Sequence, residues 1–228
     1  MPVVGNDVVD LRHPDALKKN LDDRFVGRVF LPEEKRLIFS DSDPGRTLWQ
    51  FWAAKETAYK IISKSHPAIH SGPLKYRVTL PEGYSISSTL QSCRTGQITC
   101  CVETPVDDVI VAIQNEADYL HAFGCCGPIT PGTMQLKVFR LDHACFADRT
   151  ESDAVRTVLC RHLSRFWGIP AGAINVRRDP AVRGAGPPVV CVSGKPASMD
   201  ISLSHHGRYG AFVWFGGQSS ANKREILD

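Results

Sequence analysis

Two segments of the chain carry the hydrophobic spacing of long helices. Between residues 47 and 64 apolar side chains occur on nearly every face, which predicts a mostly buried helix. From residue 151 to 167 they recur at intervals of three and four, which predicts a helix with one apolar face, preceded by Thr150 as its cap and ended by Gly168. The apolar positions of this second helix are Val155, Val158, Leu159, Leu163 and Phe166. A further helix is predicted to start at Pro32.

Shorter apolar and β-branched runs predict strands on either side of these helices. In the first half they are residues 3–4, 76–80, 85–90, 98–103 and 109–114, and in the second half residues 135–141, 174–177, 189–192, 200–204 and 209–215. Each half therefore has the order strand, long helix, strands. Gly and Pro concentrate at residues 124–132, which marks a boundary.

This pattern predicts an α+β fold made of two similar halves, residues 1–127 and 128–228. We expect the halves to be related by a pseudo-twofold axis, each with a small antiparallel sheet packed on a long helix. Their junction is then the natural place for a cleft.

Composition narrows the class of protein. The chain has 228 residues, 43% of them hydrophobic, and no apolar run approaches the roughly 20 residues that cross a bilayer. The first residues lack the pattern of a signal peptide, so we expect a cytoplasmic protein with no membrane partner. The eight cysteines include no CxxC spacing, which argues against a structural zinc site. A net charge of +3 is too small to indicate nucleic-acid binding.

The distribution of charge is more informative than its sum. Residues 1–127 contain 14 Lys and Arg against 16 Asp and Glu, whereas residues 128–228 contain 13 against 8. An acidic half beside a basic half suits a site in which one side holds a metal ion and the other holds phosphates. Chance asymmetry is the alternative.

Asp7 and Asp10 are the first candidate metal ligands. They follow the short strand at residues 3–4 in a stretch that starts with Gly5, and two carboxylates three apart on a turn can point to one place. Mg²⁺ prefers oxygen ligands and usually takes one or two carboxylates together with substrate phosphates. The pattern alone leaves open that these acids are solvated or cap a strand end.

Glu56 is a sharper candidate because it lies in the middle of the apolar helix predicted at residues 47–64. A carboxylate in such surroundings costs free energy unless it is paired or binds a metal ion. Lys60 follows one turn later on the same face, so an ordinary Glu–Lys surface pair is the alternative.

Ser204 and His205 end a strand that alternates in polarity, and their hydroxyl and imidazole groups can both bind a phosphate oxygen. Lys195 lies just before that strand in a Gly-Lys-Pro turn. For His205, the alternative to a phosphate contact is an ordinary histidine of the core or of a surface loop. The sequence contains no Gly-x-Ser-x-Gly elbow, which argues against a hydrolase triad.

Four motifs, taken together, resemble those of the 4′-phosphopantetheinyl transferase superfamily. They are Gly5-Asn6-Asp7, Trp52-Ala53-Ala54-Lys55-Glu56-Thr57-Ala58-Tyr59-Lys60, Gly194-Lys195-Pro196 and Ser202-Leu203-Ser204-His205. Their order is that of the small holo-acyl-carrier-protein synthases. The chain also looks like a surfactin-type pseudo-dimer with its halves exchanged. Residues 134–215 resemble the first half of such members, and residues 3–64 resemble their second half. Over residues 75–130 the resemblance assigns nothing residue by residue.

The resemblance implies transfer of 4′-phosphopantetheine from coenzyme A to a serine of an apo acyl or peptidyl carrier protein. It implies Mg²⁺ held by Asp7 and Glu56 and, after them, Asp10, with Glu56 and Lys60 as catalytic residues. The implied coenzyme A contacts are Lys55, Lys60, Lys195, Ser204 and His205, with Arg161 and Arg208 as weaker candidates. Because one chain supplies both sides of the site, we expect a monomer.

One departure from the motifs leaves an alternative open. Surfactin-type members have a second acid two places after the first, and Val9 occupies that place here. Asp10 resembles the acid position of the small synthases instead. The missing acid supports a degenerate member that holds coenzyme A without transferring anything. A structural protein with coincidental motifs is a second alternative.

Overall fold

Two long helices, each packed on antiparallel strands, organise the computed structural model, which describes residues 2–69, 72–80, 96–141, 150–178 and 186–216. The helices of this part of the chain are α1 (Asp23–Val29), α2 (Pro32–Ser40), α3 (Pro44–Ser65) and α4 (Glu151–Trp167). The strands of its first half are β1 (Val3–Asp10), β2 (Arg77–Thr79), β3 (Gly96–Glu103), β4 (Val109–Asn115) and β5 (Tyr119–Cys126). Those of its second half are β6 (Gln135–Arg140), β7 (Ile174–Arg178), β8 (Pro188–Val192), β9 (Lys195–Pro196), β10 (Met199–His206) and β11 (Tyr209–Gly216).

Local chemistry sets the ends of the two long helices. Before α3, the Asp43 side chain accepts a hydrogen bond from the Arg46 N–H at 3.1 Å, and Pro44 occupies the first turn. Before α4, the Thr150 hydroxyl accepts from the Asp153 N–H, and Gly168 ends the helix with a φ of 67°. The predicted bounds of α4 are confirmed, and α3 is three residues longer at its start than predicted. No helix in the described ranges is long and apolar enough to cross a membrane.

The strands form three antiparallel sheets, which confirms the α+β class. The first has the order β1-β5-β4-β3-β2 and packs its apolar face on α3. The second and third sheets have the orders β10-β11-β6 and β7-β8-β9. Strand β8 lies against β10, and α4 packs on both of these sheets. In each half the first strand therefore pairs with the last, and the last pairs with the one before it. A pseudo-twofold relation between the halves requires such a repeat, and the relation itself stays a prediction.

The structure corrects the prediction for the start of the chain. β1 does not end at Val4 but runs to Asp10, paired with β5 from Cys126 to Tyr119. The polar residues Asn6 and Asp7 suggest a turn, but the pairing with β5 overrides that local preference. On a strand, residues three apart face opposite sides, so Asp7 and Asp10 point away from each other.

The sequence prediction also missed one strand and placed another outside the described residues. β5 was not predicted, because Gly124 and the adjacent cysteines have the composition of a boundary, yet the strand continues through Cys126. The strand predicted at residues 85–90 lies outside the described residues.

Two glycines let α3 lie close to the first sheet. Gly5 in β1 and Gly124 in β5 are direct neighbours in the register. A Cβ atom on Gly5 would lie 2.6 Å from both the Thr57 carbonyl oxygen and Ile61 Cγ1 of α3. Because one of these atoms belongs to the backbone, the side chain of any other residue would push the helix away from β1. This close approach brings Glu56 and Lys60 beside Asp7.

Gly5→Ala should therefore destabilise the protein by about 1–3 kcal/mol, the usual cost of overpacking a rigid site. Chemical denaturation of the two proteins measures this difference. Gly27→Ala in α1 is the matched control, since nothing lies within 4 Å of a Cβ there. It should stabilise slightly, as glycine is a poor helix residue. Equal effects of the two substitutions would contradict the close-approach argument.

Candidate functional site

The two halves meet along the outer edge of β1, where side chains of β10 take the hydrogen bonds that another strand would take. Three backbone N–H groups of β1 each donate a hydrogen bond to a side chain of β10. The pairs are Val4 with Asp200 (2.7 Å), Asn6 with Ser202 (3.1 Å) and Asp10 with His206 (3.0 Å). Every pair is separated by 196 residues, so β1 and β10 run in the same direction. We call this contact the seam.

The contacts of the seam orient the side chains of Ser204 and His205 in opposite directions. Ser204 is buried in it, and its hydroxyl accepts a hydrogen bond from the Asn6 side-chain amide at 2.9 Å. Since successive residues of a strand face opposite sides, His205 points away from β1. Its Nδ1 lies 2.8 Å from a carboxylate oxygen of Glu151, at the start of α4.

A cleft of about 400 Å³ lies between α3 on one side and α4, β8 and β10 on the other. The basic residues that line it are Lys60, Lys64, Arg156, Arg178 and His205. Of these, Lys60 and His205 were predicted from the sequence. Among the described residues, the Nε of Arg156 is buried without a hydrogen-bond partner, which leaves a donor available at this wall.

The sequence prediction missed Lys64, Arg156 and Arg178. Lys64 lies four residues after Lys60 on the same face of α3, and that spacing could have identified it. Arg156 and Arg178 carry no comparable signal, because their neighbours across the cleft come from distant segments of the chain.

Asp7, Glu56 and Lys60 form a charged group between β1 and α3. The Lys60 ammonium donates to Asp7 Oδ1 at 2.8 Å and to the Asn6 carbonyl oxygen at 2.9 Å. Glu56, one turn before Lys60, is half-buried. Burial and then the negative charge of Asp7 raise the pKa of Glu56, while the charge of Lys60 opposes the rise.

The donor set of this group fits Mg²⁺. Two neighbouring carboxylates offer the hard oxygen ligands that the ion prefers. Burial and the neighbouring charge of Asp7 raise the pKa of Glu56 and so disfavour its ionised form, which a bound divalent cation would favour. Within the described ranges no group of three or more His, Cys, Asp or Glu side chains is placed to hold a metal ion. Two protein carboxylates completed by substrate phosphate and water match the usual Mg²⁺ environment.

The structure does not bring Asp10 to this group, which corrects the prediction that it assists Asp7. Its carboxylate is fully buried on the opposite face of β1 and accepts two hydrogen bonds from the Arg208 guanidinium, at 2.6 and 2.7 Å. The backbone N–H groups of Arg12 and Arg208 occupy its remaining sites. Burial alone would raise the pKa of Asp10, but the bonds and charge of Arg208 outweigh it and hold that pKa well below its usual range. Arg208 is thereby committed to Asp10 rather than to a phosphate.

Lys55 is also placed elsewhere than predicted. Its side chain is 2% exposed, and its ammonium donates to Glu34 at 2.6 Å and to the carbonyl oxygens of Val29 and Pro73. Three acceptors match its three N–H groups, so Lys55 binds the core of the first half together. It has no donor left for a diphosphate.

Arg161 and Lys195 are not among the residues that line the cleft. Arg161 lines a separate groove on α4, beside Cys160 and Asn175. Lys195 is exposed on β9. The predicted Gly-Lys-Pro turn is present, but the structure does not place its lysine beside Lys60 and His205.

A buried histidine supports the floor of the seam and was missed by the sequence prediction. His121 on β5 is fully buried, and its Nε2 lies 3.1 Å from the Asn6 side-chain amide. Burial, helped by the positive charge of Lys60, lowers the pKa of His121 to about 3. The ring is therefore neutral in the folded protein at every pH at which the protein is expected to work.

This histidine should make stability fall with acid. Between pH 6.5 and 3 the unfolded chain binds a proton at His121 that the folded chain does not, so the free energy of unfolding decreases by up to about 1.4 kcal/mol per pH unit. His121→Gln should remove that contribution and flatten the pH dependence of urea unfolding between pH 7 and 4. The exposed His66→Gln is the control and should keep the wild-type slope. An unchanged slope in His121→Gln would contradict the assignment.

Comparison with known proteins finds a similar family for the first half of the chain. Residues 3–113 match the model of the 4′-phosphopantetheinyl transferase superfamily. The match includes Asp7, Glu56 and Lys60, whereas His205 and the rest of the second half lie beyond it. A search of curated proteins finds no match. Over residues 3–113, somewhat less than half of its length, the chain is therefore similar to the 4′-phosphopantetheinyl transferase superfamily.

Proposed function

We propose that this protein transfers the 4′-phosphopantetheine group of coenzyme A to a serine of an apo acyl or peptidyl carrier protein and releases 3′,5′-ADP. The observation that carries the proposal is the position of the Asp7–Glu56–Lys60 group at the edge of a cationic cleft. A metal-binding acid pair next to a phosphate-binding wall is the arrangement that phosphoryl transfer requires.

The cleft offers the cations that a diphosphate needs. Within the described part of the chain, Lys60 uses two of its three N–H groups on Asp7 and Asn6, so one remains for a phosphate oxygen. His205 and the buried Nε of Arg156 add donors from the opposite wall. These three residues would hold coenzyme A across the junction of the halves.

Glu56 is suited to accept the proton of the carrier serine. Without a metal ion the pKa of Glu56 is raised, so its carboxylate is a stronger base than that of an exposed glutamate. The serine oxygen forms a bond to the phosphorus next to pantetheine as the bond from that phosphorus to the bridging oxygen breaks. The proton goes to Glu56, directly or through a water, and the electron pair leaves with 3′,5′-ADP. Mg²⁺, when held by Asp7 and Glu56, neutralises charge on the phosphoryl oxygens.

The proposal includes the expected setting of the reaction. Residues 1–127 would form the metal-binding half and residues 128–228 the phosphate-binding half of a cytoplasmic monomer. The carrier would be a small acidic helical domain, which the basic second half would attract.

Incubation with coenzyme A, Mg²⁺ and an apo carrier should add the phosphopantetheine arm to the carrier, as measured by mass spectrometry. Glu56→Gln should lower kcat by about 10²–10⁴-fold, because the amide cannot take the serine proton. Its melting temperature should stay near that of the wild type. A wild-type protein that binds coenzyme A but leaves the carrier unmodified would favour the binding-module alternative, and near-normal turnover of Glu56→Gln would remove its role as base.

Lys60→Met should weaken coenzyme A binding about 10- to 100-fold, since a charge-assisted hydrogen bond contributes roughly 1.5–3 kcal/mol. Isothermal titration calorimetry measures the dissociation constant. The matched control is Arg161→Met, which removes an exposed cation of α4 outside the cleft and should leave the constant unchanged. Equal losses in both variants would indicate a general effect of charge rather than a contact at Lys60.

A further inference from the structure

Lys64 ends the row of cations that α3 presents to the cleft, and it differs from Lys60 in one respect. Both lysines line the cleft, four residues apart on one face of the helix. Their position in the cleft alone would suggest that both lysines bind phosphate. The hydrogen bonds of Lys64 point to a different role.

All three N–H groups of the Lys64 ammonium are used within the protein. They donate to the Val4 carbonyl oxygen, to Asp200 Oδ2 and to the Ile201 carbonyl oxygen, each at 2.7 Å. An ammonium group has three donors and no acceptor, so none is left for a ligand. Burial lowers the pKa of Lys64, and the charge of Asp200 opposes that change.

Lys64, Asp200 and the backbone of Val4 connect three elements, and we call this hydrogen-bonded group the joint. Asp200 Oδ2 accepts from Lys64 of α3 and also from the Val4 N–H of β1, at 2.7 Å. Both backbone groups of Val4 are thus held, its N–H by Asp200 and its C=O by Lys64. The joint ties α3 and β1, which carry Glu56 and Asp7, to β10, which carries His205 five residues after Asp200.

We propose that Lys64 and Asp200 are positioning residues that hold the two walls of the cleft at their working separation, and that Lys64 does not bind the phosphates of coenzyme A. This inference rests on the proposed function. The joint acts through Lys60 and His205, because it fixes the distance between the elements on which these two side chains stand. A displacement of the walls by about 1 Å is enough to cost a large factor in rate.

A double-mutant cycle with Lys64→Met, Asp200→Asn and the double variant tests the proposal. Each protein is titrated with coenzyme A in the presence of Mg²⁺ and assayed with an apo carrier, at a temperature where circular dichroism shows all four to be folded. Both single variants should lose about 10-fold or more in kcat and in coenzyme A affinity. The double variant should lose no more than the worse single one, because each substitution breaks the same joint.

The behaviour of Asp200→Asn separates the two roles of Lys64. If Lys64 were a phosphate ligand, removing the charge of Asp200 would free it, and Asp200→Asn would bind coenzyme A as tightly as the wild type or more tightly. That result, or additive losses in the double variant, would overturn the proposal. Unchanged kcat and affinity in the folded single variants would overturn it too, since a purely structural joint would alter only the melting temperature.

The wild-type protein distinguishes this inference from the proposed function. If it neither binds coenzyme A nor modifies a carrier, the proposed function fails. The joint is then judged from urea unfolding of the same four proteins. A non-additive loss of stability would support a coupled pair that joins the halves, and an additive loss would overturn it.

Discussion

The unpaired edge of β1 is the constraint on which the site depends. A strand edge presents N–H groups that need partners, and here β10 supplies side chains rather than backbone as those partners. Side-chain acceptors at every second residue of β10 force Asp200, Ser202 and His206 toward β1. His205 is turned toward α4 by the same alternation. The requirement to satisfy one strand edge therefore orients a residue of the opposite wall.

The seam is polar although it is buried, and this has an energetic cost as well as a benefit. Buried amide, hydroxyl and imidazole groups stabilise a structure only when they find partners, and the Asn6 side-chain NH2 contacts both the Ser204 hydroxyl and the His121 ring. Among the described residues, Asn6 Oδ1 and His121 Nδ1 have no such partner, which is part of the cost. A shifted register would leave these groups unpaired, at about 1–3 kcal/mol each. The polar seam thus specifies one alignment of the halves, where an apolar interface would accept several.

The parts of the structure that the sequence predicted are those governed by local rules. α3 and α4 follow from the spacing of apolar residues, and Glu56 with Lys60 follows from helical geometry and the motif. The parts that it missed depend on partners far along the chain. Lys55 was predicted to bind phosphate, but its ammonium pairs with Glu34. Asp10 was predicted to bind metal, but its carboxylate pairs with Arg208, 198 residues further along the chain. No local pattern shows that β5 converts a turn-like segment into a strand.

The length of the loop that the seam closes has a consequence for how the protein folds. Its partners are 196 residues apart, and closing so long a loop costs more chain entropy than forming any of the hairpins. We expect the sheets to form before the seam does, so that the cleft between the halves is the last feature the folding chain completes. Pulse-labelling hydrogen exchange would show this as late protection of the Val4 and Asn6 amides, and early protection there would contradict it.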